Sequence, residues 1–164
     1  MGTYLVWSGT TAGVAATSNS TAGTEDVFIQ LTGASGKRYW IRRMRVFYRG
    51  DTTAVGDNTV QCRLITVTTA SGGSGTSVTP QPIDPEMPAA VTSCIVKNGT
   101  TALALGTGTV TQYLSFDFNE RGFYEWAALD PSERITAGSA GIAELVILSS
   151  AASRQYWAEI EFDE

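Results

Sequence analysis

The residues of this sequence that could do chemistry are carboxylates and thiols, because the chain contains no histidine. Without imidazole, Ser-His-Asp and Cys-His triads and most zinc sites are excluded. Glu159 and Glu161 alternate beside Trp157, and paired carboxylates next to an aromatic ring are the groups that glycoside hydrolysis uses. Alternating glutamates on a last strand are more typical of a solvated face. We therefore expect no catalytic residues and no enzymatic activity.

The remaining candidates for a metal or redox site are equally weak. Three pairs of acids could supply oxygen ligands to calcium, but none has EF-hand spacing and turn chemistry explains them. Cys62 and Cys94 fall in separate predicted strands, where a small buried core residue is the simpler interpretation. We expect no metal, no cofactor and two free thiols. The three acidic pairs are Asp51 with Asp57, Asp84 with Glu86, and Asp130 with Glu133.

Charge and hydropathy argue against two classes of partner. The formal net charge is −5, whereas a nucleic-acid-binding face is normally basic, so we expect no nucleic acid. No run of about 18 apolar residues is present, so we expect no membrane span. The sequence shows no secretory leader pattern, which predicts synthesis in a cytoplasm.

The hydrophobic pattern predicts an all-β fold. Segments of alternating hydrophobicity are separated by Gly, Pro and Asp turns, and no amphipathic helix of ten residues appears. Without helices to carry crossovers, the sheets must be antiparallel. About eight strands with one long mid-chain loop favour a two-sheet sandwich of the jelly-roll type, as a single domain over residues 25–164. The clearest strands are predicted at residues 25–32, 38–49, 60–69, 110–119, 142–149 and 154–163.

Two segments look suited to contact other proteins. Residues 1–24 carry no charge and are predicted to form an extended N-terminal arm; the alternative is a first strand followed by a loop. Residues 70–90 form a long loop stiffened by prolines, and loops of this length are usually functional. The predicted interface residues are the apolar members of both segments: Tyr4, Leu5, Trp7, Pro80, Pro82, Ile83, Pro85 and Pro88.

Five arginines cluster over residues 38–49 of the longest predicted strand. They could pair with carboxylates of a partner, or with Glu159 and Glu161 on an adjacent strand of the same sheet. We favour the second interpretation. The arginines are Arg38, Arg42, Arg43, Arg45 and Arg49.

The run from Gly72 to Ala90, GGSGTSVTPQPIDPEMPAA, resembles a segment common in small structural proteins of tailed bacteriophages. In those proteins a Gly-rich turn leads into Thr-Pro-x-Pro-φ-Asp-x-x-x-Pro-Ala-Ala, where φ is an apolar residue. The likeness covers roughly residues 38–164 and leaves residues 1–24 outside the pattern. Its later parts are LSFDFN at 114–119, Trp126, PSERI at 131–135, GIA at 141–143 and EFDE at 161–164.

This resemblance implies a virion component, most of all a capsid decoration (cement) protein, and such proteins are often trimers. We therefore expect a homotrimer that binds the major capsid protein and acts by adhesion. The alternative is a carbohydrate- or receptor-binding domain of a phage fibre or tail. In that case Trp157, Tyr113 and Trp126 would be the stacking platforms.

Overall fold

The computed structural model describes residues 1–9, 15–17, 22–49, 57–70, 75–99 and 103–164. Within these ranges the chain forms twelve β-strands, one short 3-10 helix at Pro131–Glu133 and no α-helix. The strands are β1 (Thr3–Trp7), β2 (Ala16–Thr17), β3 (Glu25–Thr32), β4 (Trp40–Tyr48), β5 (Thr59–Thr69), β6 (Thr76–Val78), β7 (Gln81–Pro82), β8 (Ser93–Val96), β9 (Thr107–Asn119), β10 (Phe123–Ala127), β11 (Ile142–Ser149) and β12 (Gln155–Asp163).

The strands form two sheets. Sheet A has the order β10-β4-β12-β1-β7, with β2 beside one end of β12. Sheet B has the order β6-β8-β3-β11-β5-β9. Every pairing is antiparallel, so the predicted all-β fold with two antiparallel sheets is confirmed. The strands beyond the expected eight include β2, β6 and β7, each only two or three residues long.

The main core lies between the sheets and follows the alternation of the sequence. On β12, Tyr156, Ala158, Ile160 and Phe162 are fully buried, as their spacing predicts. Aromatic rings from three strands or their flanks meet at Phe162, whose ring centroid lies 5.6 Å from that of Tyr4 and 5.9 Å from that of Tyr39. Aromatic pairs at such distances add to the stability that area burial provides.

The structure corrects the predicted N-terminal arm over residues 1–24. Residues 3–7 are β1, an inner strand of sheet A that pairs with β12 along its whole length. Tyr4 and Val6 are each only 2% exposed and belong to the core. Ala16 of β2 is also buried and pairs with Tyr156, while residues 10–14 and 18–21 lie outside the described residues. The alternative prediction, a first strand followed by a loop, agrees with the structure at residues 3–7.

A second, smaller apolar cluster lies on the outer face of sheet B. Leu103 clusters there with Val27 of β3, Ile65 and Val67 of β5, and Ile142 and Val146 of β11. Two buried polar contacts hold the chain before and after Leu103, the first at Lys97 and the second at Gly106. The Lys97 ammonium lies 2.6 Å from the Asp26 carboxylate, and both residues are buried.

The second contact is made by the buried carboxylate of Glu144. It accepts hydrogen bonds from the Gly106 backbone N–H at 3.0 and 3.1 Å and from Gln30 Nε2 at 2.6 Å. Burial raises the pKa of Glu144, and these two donors only partly offset that effect. A side chain at Gly106 would collide with Val67, Thr69 and Glu144 itself, which explains the glycine.

We expect the Glu144→Gln variant to remove a pH dependence from stability. Because its pKa is raised, the Glu144 carboxyl binds its proton more tightly in the folded state than in the unfolded state. The free energy of unfolding therefore falls as the pH rises from the pKa of the unfolded state through the pKa of the folded state. A glutamine can still accept the Gly106 N–H. It can also donate to Gln30 Oε1, which has no partner within the described residues, if the Gln30 amide rotates.

Urea unfolding of the wild type and of Glu144→Gln between pH 4 and 8 measures this effect. The stability of the wild type relative to the variant should increase as the pH falls through that window. A difference that is constant with pH would contradict the assignment.

Candidate protein interaction site

The two segments predicted to contact partners, the N-terminal strand and the proline-rich loop, lie side by side at one edge of the sandwich. Tyr4 pairs with Pro82 and Leu5 with Gln81, so part of the loop becomes the outermost strand of sheet A. The Ile83 N–H donates to the Thr3 carbonyl at 2.9 Å. The structure therefore brings the two predicted segments into one surface.

The end of the loop near Val91 and Thr92 is held by hydrogen bonds to Glu164. The Glu164 carboxylate accepts the N–H groups of Val91 at 2.6 Å and Thr92 at 2.9 Å, and the Thr92 hydroxyl at 2.7 Å. The Glu164 backbone exchanges two hydrogen bonds with Gly2, at 2.8 and 3.0 Å. Sequence reasoning missed this role of Glu164, because the contact joins residues more than 70 positions apart.

Internal contacts give the loop its shape between these anchors. The Asp84 carboxylate accepts the Glu86 N–H at 3.0 Å, and the Asp84 carbonyl accepts the Met87 N–H at 3.0 Å. The Tyr4 hydroxyl donates to the Pro88 carbonyl at 3.0 Å. A loop held in this way loses little conformational entropy when it binds a partner.

The predicted interface residues divide by exposure. Ile83 is 54% exposed, Pro85 and Pro88 are exposed as well, and Pro82 is half-buried. Leu5 and Trp7 are half-buried on the outer face of sheet A. Tyr4 and Pro80 are buried, so neither can touch a partner, and the structure corrects both assignments. Tyr4 belongs to the core because its side chain points to the opposite face from Leu5.

Exposed apolar residues that sequence reasoning missed complete this surface. Met1 is 78% exposed and Val91 is 54% exposed, and both lie close to Glu164, which bonds Val91 and the neighbour of Met1, Gly2. Asp84 and Glu86 are exposed among them, and neither forms an ion pair with another described residue. We call this set the Pro-loop surface: Met1, Ile83, Asp84, Pro85, Glu86, Pro88 and Val91.

A cleft of about 290 Å³ opens next to the Pro-loop surface, between β1 and β6. Leu5, Trp7, Val78 and Gln81 are among its lining residues. It exists because the pairing of β7 with β1 stops at Leu5, which leaves the rest of β1 without a neighbour on that side. Such a cleft can receive an apolar side chain or a short extended segment.

Three of the five clustered arginines, Arg42, Arg43 and Arg45, pair with Glu159 or Glu161 on the adjacent strand, as the favoured interpretation predicted. Arg45 lies 2.5 Å from Glu159, and Arg43 lies 2.6 Å from Glu161. Arg42 also reaches Glu161, at 3.1 Å, because the register between β4 and β12 shifts at this point and places two consecutive arginines near one carboxylate. This β-bulge also turns Ile41 into the core, whereas uninterrupted alternation along β4 would place it on the same face as Arg43.

The aromatic residues considered for a sugar-binding platform do not share a surface. Trp157 lies on the outer face of sheet A, with the Arg49 guanidinium 5.2 Å from its ring centroid. Trp126 packs against the main core, and Tyr113 belongs to β9 in sheet B. These positions do not assemble a stacking platform.

The buried titratable residues Cys62, Cys94 and Glu120 serve the fold. Cys62 and Cys94 are free and buried, and burial raises the pKa of both thiols, which makes them poor nucleophiles. The buried Glu120 carboxylate accepts hydrogen bonds from the Tyr156 hydroxyl and the Asn58 amide, both at 3.0 Å, and lies 3.4 Å from Arg154. The Glu120 carboxylate thus satisfies buried polar groups of the core, and the two cysteines fill core space.

The residues considered for calcium do not gather. Within the described ranges no three Cys, Asp or Glu residues are grouped closely enough to hold a metal ion. Asp57 pairs with Arg121 at 3.1 Å, while Asp51 lies outside the described residues. Asp130 caps the 3-10 helix through Ser132, and Glu133 completes the capping box.

No family model matches the chain, and no curated protein or solved structure matches it either. The likeness to phage structural proteins therefore stays a prediction. In the part of the chain that the structure describes, no helix is long and apolar enough to cross a membrane.

Proposed function

We propose that this protein is a non-enzymatic structural protein of a bacteriophage virion, a capsid decoration protein that adheres to the capsid surface and bridges neighbouring subunits of the major capsid protein. The observation that carries the proposal is the Pro-loop surface. Apolar side chains are exposed there on a loop that is held at one end by β1 and at the other by Glu164. The loop lies next to an apolar cleft. A surface of this kind suits binding to a protein.

We also infer a jelly-roll topology, the fold that the phage resemblance implies. Its support is the order of the eight main strands. Sheet A contains β1-β12-β4-β10 and sheet B contains β3-β11-β5-β9. Along the chain these strands alternate between the sheets, except that β5 and β9 are in the same sheet. Two Greek keys wound into a double sheet have this order.

Adhesion by an oligomer follows from the energetics of such a surface. A single Pro-loop surface offers only five apolar side chains, those of Met1, Ile83, Pro85, Pro88 and Val91, which suits a modest affinity. Several copies bound to one repeating shell act at a high effective concentration, and the overall affinity rises by orders of magnitude without any new contact. The proposal therefore requires an oligomer, and a homotrimer on the capsid is the form that we propose.

The Ile83→Asp variant tests the proposal by co-sedimentation with phage capsid shells assembled without this protein. Ile83 is central on the loop, and burying a carboxylate at a binding interface should weaken binding by tenfold or more, since each factor of ten is about 1.4 kcal/mol. Ala152→Asp places the same charge on an exposed turn elsewhere and should bind like the wild type. Wild-type protein that stays in the supernatant, or equal binding of both variants, would overturn the proposal.

A further inference from the structure

The cleft between β1 and β6 lies where the chain passes from one sheet to the other. β6 pairs with β8 in sheet B, whereas β7, which follows it after Thr79 and Pro80, pairs with β1 in sheet A. The pairing with β1 includes Leu5 and Gln81 and goes no further, so the two chain segments separate towards Trp7. The cleft is therefore a gap between strands that the pairing of Leu5 with Gln81 closes on one side.

The backbone N–H and C=O of Trp7 point into this gap. Hydrogen bonds of an antiparallel pair involve every second residue of a strand. The backbones of Gly2 and Ser8 bond those of Glu164 and Ala158 beside β12, so alternate residues between them face β12 and the others face away. Trp7 is one of those that face away, and it has no backbone hydrogen bond on that side with any described residue.

The backbone of Ser77 is unpaired on the opposite wall of the cleft. The Lys97 N–H donates to the Phe28 carbonyl at 2.9 Å, so the same alternation turns the backbone of Ile95 towards β3. Ser77 lies opposite Ile95 in the pairing of β6 with β8, and its own N–H and C=O therefore point away from β8. Ser77 lines the cleft, and no described residue bonds these two groups.

The side chains around the cleft are apolar or uncharged. Leu5, Trp7 and Val78 are half-buried there, and none of the described residues that line the cleft carries a charge. An apolar side chain alone could fill this space, but it would cover the backbone groups of Trp7 and Ser77 without bonding them, which costs free energy. An extended chain segment satisfies both requirements, because its backbone makes hydrogen bonds while its alternate side chains enter apolar pockets.

We propose that the cleft binds an extended, uncharged chain segment of a partner protein as an added β-strand between β1 and β6. The backbone of this segment bonds Trp7 on one wall and Ser77 on the other, and its apolar side chains lie against Leu5 and Val78. The inference rests on the proposed function in that the segment belongs to the major capsid protein. It adds a main-chain contact beside the side-chain contacts of the Pro-loop surface.

Hydrogen–deuterium exchange of single backbone amides, with and without phage capsid shells that lack this protein, tests the inference. In the free protein the N–H groups of Trp7 and Ser77 should exchange quickly, because no described residue accepts them. Bound shells should slow both by about tenfold or more, because carbonyl groups of the added strand accept them.

The N–H of Glu125 is the control for this exchange measurement. The Ala128 N–H donates to the Arg42 carbonyl, so the alternation along β10 turns the Glu125 N–H away from β4, its neighbour in sheet A. Glu125 thus has an outward N–H at the other end of sheet A from β7, and its exchange should be the same with and without shells.

A pair of substitutions at Ser77 separates a backbone contact from a side-chain contact. Ser77→Pro removes the N–H, and proline is compatible with the outer edge of a strand. Ser77→Ala removes the hydroxyl and keeps the N–H. In co-sedimentation with the same shells the proline variant should bind about tenfold more weakly, whereas the alanine variant should bind like the wild type.

The outcomes distinguish the inference from the proposed function. Shells that bind the wild type but leave the exchange of Trp7 and Ser77 unchanged would overturn the inference and keep the proposed function, and so would equal binding of the two Ser77 variants. Wild-type protein that does not bind shells would overturn both. If Ser77→Pro does not fold by circular dichroism, the exchange measurement decides alone.

Discussion

Replacing Lys97 by methionine is expected to lower the free energy of unfolding by about 3–5 kcal/mol. The Lys97 ammonium and the Asp26 carboxylate lie 2.6 Å apart, both residues are buried, and the ammonium lies 5.8 Å from the ring centroid of the core residue Phe28. Methionine keeps the length of the side chain but removes the charge, so Asp26 is left buried without its ion-pair partner. Urea unfolding followed by tryptophan fluorescence measures the loss.

The protein contains one matched control for this experiment. Lys37 is its other lysine and lies exposed in a turn, so Lys37→Met should change stability by about 0.5 kcal/mol or less. The double variant Lys97→Met with Asp26→Leu should recover much of the lost stability, because replacing a buried ion pair by apolar residues is often neutral. A Lys97→Met protein as stable as the wild type would show that the pair is not buried as described.

Replacing Tyr4 by alanine is expected to cost about 3–5 kcal/mol, the usual range for removing a large buried aromatic side chain. The ring packs against Phe162 with 5.6 Å between centroids, and its hydroxyl holds the Pro88 carbonyl. Tyr4→Phe keeps the ring and loses one hydrogen bond, so it should cost only about 0.5–1.5 kcal/mol. Thermal unfolding of the two variants separates the two contributions.

Met1→Ala is the control for Tyr4→Ala, because Met1 is 78% exposed and three positions away. Its melting temperature should match that of the wild type. A Tyr4→Ala protein with an unchanged melting temperature would mean that the N-terminal segment is an arm outside the domain. The same reasoning predicts that deletion of residues 1–8 destabilises the fold, whereas a free arm could be removed without loss.

The strands that alternate clearly in sequence were predictable, because one face of each is buried. On β12, Tyr156 to Phe162 follow the period of two without interruption, and the outward Glu159 and Glu161 meet the arginines that their spacing suggested. The period also runs through β1, where Tyr4 and Val6 point inward. The uncharged, patternless residues that follow made this strand look like part of an arm.

Other features depend on contacts that no local pattern contains. Ile41 is turned inward by a bulge that exists only in the pairing of β4 with β12. The short strand β7 forms because β1 lies beside it, although Pro80 before it and Pro82 within it argue against a strand on local grounds. The contact of Glu164 with Val91 and Thr92, and that of Lys97 with Asp26, join residues more than 70 positions apart.

The interface residues were predictable in part, because the exposure of loop residues can be predicted from the sequence more easily than the exposure of strand residues. Prolines and an isoleucine in loop-like sequence indicated the Pro-loop surface, and Ile83, Pro85 and Pro88 are exposed there. Exposure on strands is harder to read, because an edge strand and an inner strand can share one hydrophobic pattern. Phe123 belongs to a short aromatic strand in which either face could be buried, and only the packing of Tyr124 and Trp126 against the core shows that Phe123 lies on the exposed outer face.

The central claim is that the molecule works by adhesion through the Pro-loop surface. Hydroxyl-radical footprinting of the side chains tests this claim most directly. The protein is labelled at high concentration, alone and mixed with phage capsid shells that lack it, and oxidation is read by mass spectrometry at Ile83, Val91, Phe123 and Leu129. We predict that shells protect Ile83 and Val91, while Phe123 and Leu129, near the opposite end of sheet A, are labelled equally with and without shells. Equal labelling of Ile83 and Val91 with and without shells would contradict the account.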